Sequence, residues 1–186
     1  MAKWLVVYSS LTGNTKEIAE AIYEAFGQEN ADIYPIKDKD AFNIDQYDNI
    51  AVGYWLTRGG PDQSIQELLA KLNNKTVVLF QTQGAELNSE HSITAFARAA
   101  SYLGNNCRVL GTFASQGKIN PAMLARRRSS DPNDPHAATE RNIKRWENAS
   151  THPDAEDIKR AKDFVKAMNR KLELRAKYLA KQAEHK

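Results

Sequence analysis

The fold is decided by one stretch near the N-terminus, residues 4–16, which reads Trp4-Leu5-Val6-Val7-Tyr8-Ser9-Ser10-Leu11-Thr12-Gly13-Asn14-Thr15-Lys16. Its first half predicts a buried strand, and four hydroxyl side chains follow at 9, 10, 12 and 15, just before a predicted helix. A strand, a short turn and a helix form the beginning of a βαβ unit. Because parallel α/β proteins bind ligands at the carboxyl ends of their strands, this turn is the first candidate binding site.

Further strands alternate with helices along the chain. The apolar patterns predict strands at 3–8, 31–36, 49–55, 76–82 and 108–113, and helices at 15–26, 62–72 and 90–103. This alternation indicates an α/β fold with a parallel sheet covered on both faces. Residues 120–151 lack a sustained apolar period, so we expect an excursion there with one or two short helices. Asp154 then predicts the cap of a long last helix.

The composition fits a single domain in a reducing compartment. The chain has 186 residues, and no apolar run approaches the roughly 20 residues that a membrane helix needs. The first apolar run is too short for a signal peptide. One cysteine, Cys107, excludes an internal disulfide framework. We therefore expect one domain over 1–186, a cytoplasmic location and no membrane span.

The positive charge belongs to the C-terminal third. Residues 1–118 carry 10 Lys and Arg against 13 Asp and Glu, whereas residues 119–186 carry 16 against 10. The run at 126–128 and the basic extension at 173–186 have the charge to bind an acidic partner, nucleic acid or an anionic membrane. A solvated helix face is the commoner explanation of such runs, so we do not expect a nucleic-acid partner.

The turn after the first strand has the chemistry of a phosphate site. Backbone N–H groups at a helix N-terminus, lined with short hydroxyls, form a cradle for a phosphate dianion. No Lys or Arg lies inside this turn, and neither G-x-x-x-x-G-K-[ST] nor G-x-G-x-x-G is present. The first pattern is the Walker loop of nucleoside triphosphate sites and the second is the dinucleotide-binding pattern, so a mononucleotide phosphate fits this turn better than either ligand. Ordinary turn and cap residues are the alternative. The predicted binding residues are Ser10, Leu11, Thr12, Gly13, Asn14 and Thr15.

Two later loops leave the predicted sheet on the same side as this turn. Trp55 has the flat side chain to stack on a planar ring, and Gly84 lets the backbone approach the ring's polar edge. A tryptophan that merely covers the end of the sheet is the alternative. The candidate residues in these loops are Trp55, Leu56, Thr57, Arg58 and Gly59, followed by Thr82, Gln83, Gly84 and Ala85.

These residues resemble the flavodoxin family over most of the chain. The turn at 10–15 matches the family's phosphate-loop pattern, hydroxyl-x-Thr-Gly-x-Thr, and the two later loops stand where that family holds the isoalloxazine ring of FMN. The resemblance implies a flavodoxin-like, doubly wound, five-stranded parallel sheet of order 2-1-3-4-5. It also makes 152–157 the usual start of the last helix, so that 120–151 is an insertion before it.

Within the family, four short motifs look most like one bacterial subgroup, which includes the flavodoxin-like partner of bilirubin reductase. The motifs are Gly53-Tyr54-Trp55, Ser89-Glu90-His91, Gly111-Thr112-Phe113 and Gln116-Gly117-Lys118. The family resemblance implies an FMN-binding electron carrier between a reductase and a terminal redox enzyme. A flavoenzyme of the NAD(P)H:quinone reductase type is the second hypothesis. A receiver-type signalling domain is disfavoured, because the first strand does not end in acidic residues.

The chain also departs from the family pattern. No tyrosine stands in 83–90, where many relatives place one against the flavin, so that face is either covered by another group or open. Arg58 follows the tryptophan loop. If Arg58 points inward, it stabilises the anionic hydroquinone and makes that potential less negative than in acidic flavodoxins, whereas a solvent-facing Arg58 has no such effect.

The resemblance also implies that the Arg58–Gly59 or Gly59–Gly60 peptide flips to accept a hydrogen bond from the reduced flavin, which favours the neutral semiquinone. The histidines, by contrast, give no catalytic pattern. None of His91, His136, His152 and His185 is spaced for a metal or a catalytic triad, so we predict neither a metal site nor a catalytic residue.

Overall fold

The computed structural model describes residues 3–131, 133–134 and 136–184, in which five parallel strands form one sheet. The strands are β1 (Trp4–Tyr8), β2 (Ala31–Pro35), β3 (Asn49–Trp55), β4 (Thr76–Gln83) and β5 (Arg108–Gln116). Their order in the sheet is β2-β1-β3-β4-β5, which confirms the predicted order 2-1-3-4-5. Parallel strands buried on both faces need continuous apolar runs. Accordingly, all of β1 and most residues of β3 and β4 are buried.

Helices cover both faces of this sheet. The helices are α1 (Asn14–Phe26), α2 (Gln63–Lys71), α3 (Glu90–Ser101), α4 (Pro121–Arg128), α5 (Glu140–Ala149) and α6 (Ala155–Glu184). On one face α1 and α6 pack against the even-numbered residues of β1, such as Trp4 and Val6. On the other face α2 and α3 pack against Leu5 and Val7. This division follows from the period-two alternation of side chains along a strand.

Short 3₁₀ turns at Ile36–Ala41 and Ile44–Gln46 connect β2 to β3. Helices α4 and α5 lie between β5 and α6, in the segment that the sequence left without a clear pattern. Asp154 caps α6, since its Oδ1 accepts hydrogen bonds from the N–H groups of Glu156 and Asp157 at 2.9 and 3.0 Å. Strand β5 runs to Gln116, three residues beyond its expected end, because it stays paired with β4 as far as Gln83.

Helix α6 is much longer than the sheet it covers. Its buried residues include Ala161, Val165 and Met168, whereas Leu174, Tyr178 and Leu179 are exposed. The C-terminal part of α6 therefore extends past the body with a basic, solvated surface. Within the described ranges, no helix combines the length and the apolar character needed to cross a membrane.

Candidate functional site

The turn between β1 and α1 is shaped as an anion cradle. Gly13 has φ of 95°, a left-handed conformation that glycine adopts without steric cost. Its N–H donates to Ser10 Oγ at 3.2 Å, and Asn14 Nδ2 donates to Thr12 Oγ1 at 3.0 Å. No side chain among the described residues caps α1, so the amides of its first turn keep their capacity to bind an anion. Leu11, Thr12 and Gly13 are exposed, which leaves the turn accessible.

Thr15 lies at the base of this turn and is fully buried. Its Oγ1 forms a hydrogen bond of 2.8 Å with Thr82 Oγ1, and Thr82 is also buried. This contact joins the first turn of α1 to the end of β4. The hydroxyl of Thr15 therefore fixes the position of the phosphate loop against the candidate loop at 82–85.

A cavity of about 300 Å³ lies at the carboxyl ends of the central strands. That volume is at the small end of ligand pockets, which range from about 300 to 1,000 Å³. The cavity joins the phosphate loop to both ring-side loops, so three segments distant in sequence contribute to one site. Nine of the predicted residues line it: Leu11, Thr12, Asn14, Trp55, Leu56, Thr82, Gln83, Gly84 and Ala85.

The other predicted residues are not on this cavity's lining. Ser10 and Gly13 line a broader groove of about 1420 Å³ on the β2 side of the phosphate loop. Thr57 and Gly60 exchange backbone hydrogen bonds of 2.9 and 3.0 Å around Arg58 and Gly59, whose φ values are 50° and 79°. Positive φ at both central positions is typical of a type I′ turn. Its geometry leaves the Arg58 side chain exposed, and Arg58 does not line the cavity.

The type I′ turn is held by α3. Arg98 Nη1 donates to the carbonyl oxygens of Arg58 and Gly59 at 3.4 and 3.1 Å. A Cβ at Gly59 would lie 2.3 Å from the same Nη1 atom, so the turn and the guanidinium are in close contact. The Arg58–Gly59 peptide is therefore restrained by Arg98, a residue that does not line the cavity.

A buried chain of hydrogen bonds orders the loop between β4 and α3. Gln81 Oε1 accepts from the Tyr54 hydroxyl at 3.0 Å, and Gln81 Nε2 donates to Gln83 Oε1 at 2.8 Å and to the Ser92 carbonyl at 3.0 Å. Gln83 Nε2 then donates to the Glu86 carbonyl at 3.0 Å. Burial raises the pKa of the Tyr54 phenol, so Tyr54 remains a donor at neutral pH. We call Tyr54, Gln81 and Gln83 the glutamine relay.

The segment after β5 closes against both candidate loops. A Cβ at Gly84 would lie 2.6 Å from Ile119 Cγ1, and a Cβ at Gly117 would lie 2.6 Å from Asn14 Nδ2. Asn14 Nδ2 also donates to the Lys118 carbonyl at 2.9 Å. These contacts need glycine at 84 and 117 because any larger side chain would push the segment away.

Sequence reasoning missed the contribution of this segment to the site. Residues from 117 to 145 that line the cavity are Gly117, Lys118, Ile119, Asn120, Met123, Arg127, His136, Arg141 and Arg145. Arg141 and Arg145 are four residues apart on α5 and share a helix face. The only sequence signal was the basic run at 126–128, which we interpreted as a solvated surface. We call Arg127, Arg141 and Arg145 the arginine wall.

Glu86, Ser89 and His91 complete the lining on the α3 side. Side chains of α4 and α5 therefore line the same cavity as the loop at 83–90, which contains no tyrosine. Both helices belong to the excursion, and their lining residues are at positions that no local pattern identified. His185 and the prolines at 132 and 135 lie outside the described residues.

The start of α6 anchors the same segment. The Lys118 N–H donates to the His152 carbonyl at 3.0 Å. Buried Asp157 pairs with the His152 imidazole and accepts from the Asp154 N–H at 3.2 Å and from Arg160 Nη1 at 2.9 Å. Ligand atoms of His152, Asp154 and Asp157 lie within 4.8 Å of one another. Because Asp157 already has three donors, including a cation, this cluster is explained as a helix anchor.

The comparisons with known proteins agree with this geometry. The flavodoxin domain model matches residues 5–166. A flavodoxin-like domain-containing protein BilS of Clostridioides difficile is 34% identical over 171 residues, covering 89% of this chain and 96% of the relative. The corresponding protein of Clostridium symbiosum is 28% identical over 180 residues, covering 88% and 94%.

A solved structure supports the same fold. Oxidised flavodoxin 1 of Bacillus cereus superimposes with a TM-score of 0.56 at 15% identity, covering 91% of this chain and 98% of that one. The phosphate loop offers amides and hydroxyls, and the adjoining cavity offers Trp55 and a glycine-lined edge, which together suit a flavin mononucleotide. The chain therefore belongs to the flavodoxin domain family, whose cofactor, FMN, fits the loop and the cavity described above.

Proposed function

We propose that this flavodoxin-type protein carries electrons between a reductase and a terminal redox enzyme. The observation that carries the proposal is the single cavity that joins the phosphate loop to the ring-side loops. In a carrier, the protein has to hold and tune its cofactor, and the bound FMN supplies one- and two-electron redox chemistry.

The residues of the proposed FMN site divide into a phosphate group and a ring group. The amides and hydroxyls of the loop at 10–15 would hold the phosphate, and Trp55 would pack against the flavin ring. The backbone around Gly84 would hold the ring's polar edge, and the glutamine relay keeps that backbone in place. The Arg58–Gly59 peptide is the candidate for a conformational change on reduction, and Arg98 restrains it.

The quinone reductase hypothesis needs a flavin face that a nicotinamide ring can reach. The sequence keeps this hypothesis open, because no tyrosine stands in 83–90 to cover that face. In the structure, side chains such as Met123 and Arg127 of α4 line the cavity on the side of the excursion. Their position supports the carrier, because a carrier needs only an exposed edge for electron transfer and no substrate pocket over the ring.

We infer that the redox partners are proteins and that the chain works in the cytoplasm. Cys107 is half-buried, and its Sγ donates to the Leu72 carbonyl at 3.2 Å, so it acts as a packing residue. The basic extension of α6 is a candidate contact for an acidic partner. The proposed partners are a reductase and an electron acceptor, and nucleic acid is not among them.

Reconstitution followed by stepwise reduction tests the proposal. The apoprotein is titrated with FMN, and the loaded protein is reduced with dithionite under anaerobic conditions while absorption is recorded. The carrier predicts saturable binding and a substantial amount of one-electron-reduced flavin. Rapid oxidation of NADH or NADPH in the absence of any other protein would instead favour the enzyme.

A further inference from the structure

The phosphate loop contains no basic residue, but the opposite side of the cavity does. Lys118, Arg127, Arg141 and Arg145 line the cavity, and Glu86 is the only acidic side chain in the lining among the described residues. Lys16, which follows the phosphate loop, is directed elsewhere, since it lies 3.6 Å from Glu20 and lines the other groove. The positive charge of the site is therefore supplied by the segment after β5.

The arginine wall is poorly compensated by the protein itself. None of its three members forms a salt bridge with a described acidic residue. Arg145 Nε is buried and has no hydrogen-bond partner within the described part of the chain. Burial and the neighbouring charge of Arg145 lower the pKa of Arg127, and Asp134 offsets only part of this effect. A cluster of like charges with an unused donor is costly unless an anion binds to it.

The lining of the cavity indicates which anion this is. The arginine wall and the candidate flavin site border one and the same space. The same cavity is lined by Thr12 and Asn14 of the phosphate loop and by Trp55 and Gly84 of the ring-side loops. The ligand that contacts those residues is therefore also the ligand that the arginine wall faces.

We propose that the arginine wall binds the negative charge of the flavin nucleotide and gives α4 and α5 a direct role in cofactor binding. This inference rests on the proposed FMN site and assigns to Arg127, Arg141 and Arg145 the charge recognition that we had considered for Arg58. The negative charge has two sources in FMN, the phosphate and the fully reduced ring. Both take charge-assisted hydrogen bonds from guanidinium groups.

The test compares two triple variants with equal loss of charge. In the wall variant, Arg127, Arg141 and Arg145 are replaced by Gln. In the control variant, the exposed residues Arg126, Arg128 and Lys144 of the same two helices are replaced by Gln, and none of these lines the cavity. Affinities of the apoproteins for FMN and for riboflavin, which lacks the phosphate, are measured by fluorescence quenching. The midpoint potential of the FMN complex then gives the ratio of affinities for reduced and oxidised FMN.

Loss of a charge-assisted hydrogen bond weakens binding by roughly ten- to a hundredfold. If the wall binds the phosphate, the wall variant loses about that factor for FMN and keeps its riboflavin affinity. If the wall binds the reduced ring, the FMN-to-riboflavin ratio is unchanged and affinity for reduced FMN falls relative to oxidised FMN. Either result supports the proposal, and the control variant is expected to match the wild type.

Two results would overturn the proposal. One is a wall variant whose FMN-to-riboflavin and reduced-to-oxidised affinity ratios equal those of the control, while the wild type binds FMN. FMN would then bind at the proposed site without a contribution from the arginine wall. The other is an equal loss of FMN and riboflavin affinity with no change on reduction, which indicates shape and not charge. A wild type that binds no FMN would show that the proposed function itself has failed.

Folding is checked separately, by far-UV circular dichroism of each apoprotein. Arg141→Gln alone provides a milder variant, because Arg141 is exposed. For the wild type, added salt should weaken FMN binding more than riboflavin binding if the wall meets the phosphate.

Discussion

Replacement of Gln81 by Leu tests whether the glutamine relay stabilises the fold and orders the ring-side loop. The Gln81 side chain is fully buried and contacts four polar atoms, which belong to the buried residues Tyr54, Gln83 and Ser92. The substitution removes this partner from the Tyr54 hydroxyl, from Gln83 Oε1, and from the carbonyl and hydroxyl oxygens of Ser92. Each buried polar group left unpaired costs about 1–3 kcal/mol, and the gain from burying Leu offsets part of the sum. We expect a net loss of roughly 3–5 kcal/mol in the free energy of unfolding.

Urea unfolding of the apoprotein, followed by circular dichroism, measures this loss. Gln28→Leu, at an exposed position, is the control and should change the stability little. Tyr54→Phe alone should cost about 1–2 kcal/mol, because it leaves Gln81 Oε1 without its donor. In the double variant the two costs should be less than additive, since both remove the same hydrogen bond. A Gln81→Leu loss no larger than that of Gln28→Leu, or strict additivity with Tyr54→Phe, would refute the reasoning.

Three further predictions concern neighbouring parts of the site. Thr15→Val removes the hydroxyl contact with Thr82 and should lower the free energy of unfolding by about 1–2 kcal/mol and weaken FMN binding; unchanged urea midpoint and affinity would contradict this. The pKa of Tyr54 is raised in the fold, so its phenol stays protonated there at a pH at which it ionises in the unfolded chain. The free energy of unfolding should therefore fall as the pH rises above about 10, and less steeply in Tyr54→Phe. If urea unfolding gave the same slope of this free energy against pH for both proteins, this contribution would be excluded. Arg98→Ala frees the carbonyls of Arg58 and Gly59 and should raise, by a few fold, the equilibrium constant for forming one-electron-reduced flavin in a reductive titration; an unchanged constant would show that Arg98 does not restrain the peptide that responds to reduction.

The sheet could be predicted from the sequence because its signals are local. Val77 and Leu79 lie in an apolar run of strand length, and Gly27 ends α1 where the helical period stops. The phosphate loop is equally local, since its glycine and hydroxyls are adjacent in the chain. The carboxyl ends of parallel strands then bring the turn at 10–15 and the loops after β3 and β4 together without further information.

The excursion could not be placed in the same way. Its position depends on contacts between distant residues, such as Ile119 against Gly84 and Lys118 against Asn14. A basic run such as 126–128 indicates a solvated surface unless its tertiary neighbours are known. For the same reason the sequence left the direction of Arg58 open, whereas the type I′ turn and the contact with Arg98 give it an exposed position.

The most direct test of the account is a titration of the apoprotein with FMN, monitored by the quenching of flavin fluorescence. We expect a saturable, one-to-one complex with a dissociation constant in the micromolar range or below. A linear response, with no quenching up to high micromolar FMN, would contradict the assignment of the cavity as a flavin site.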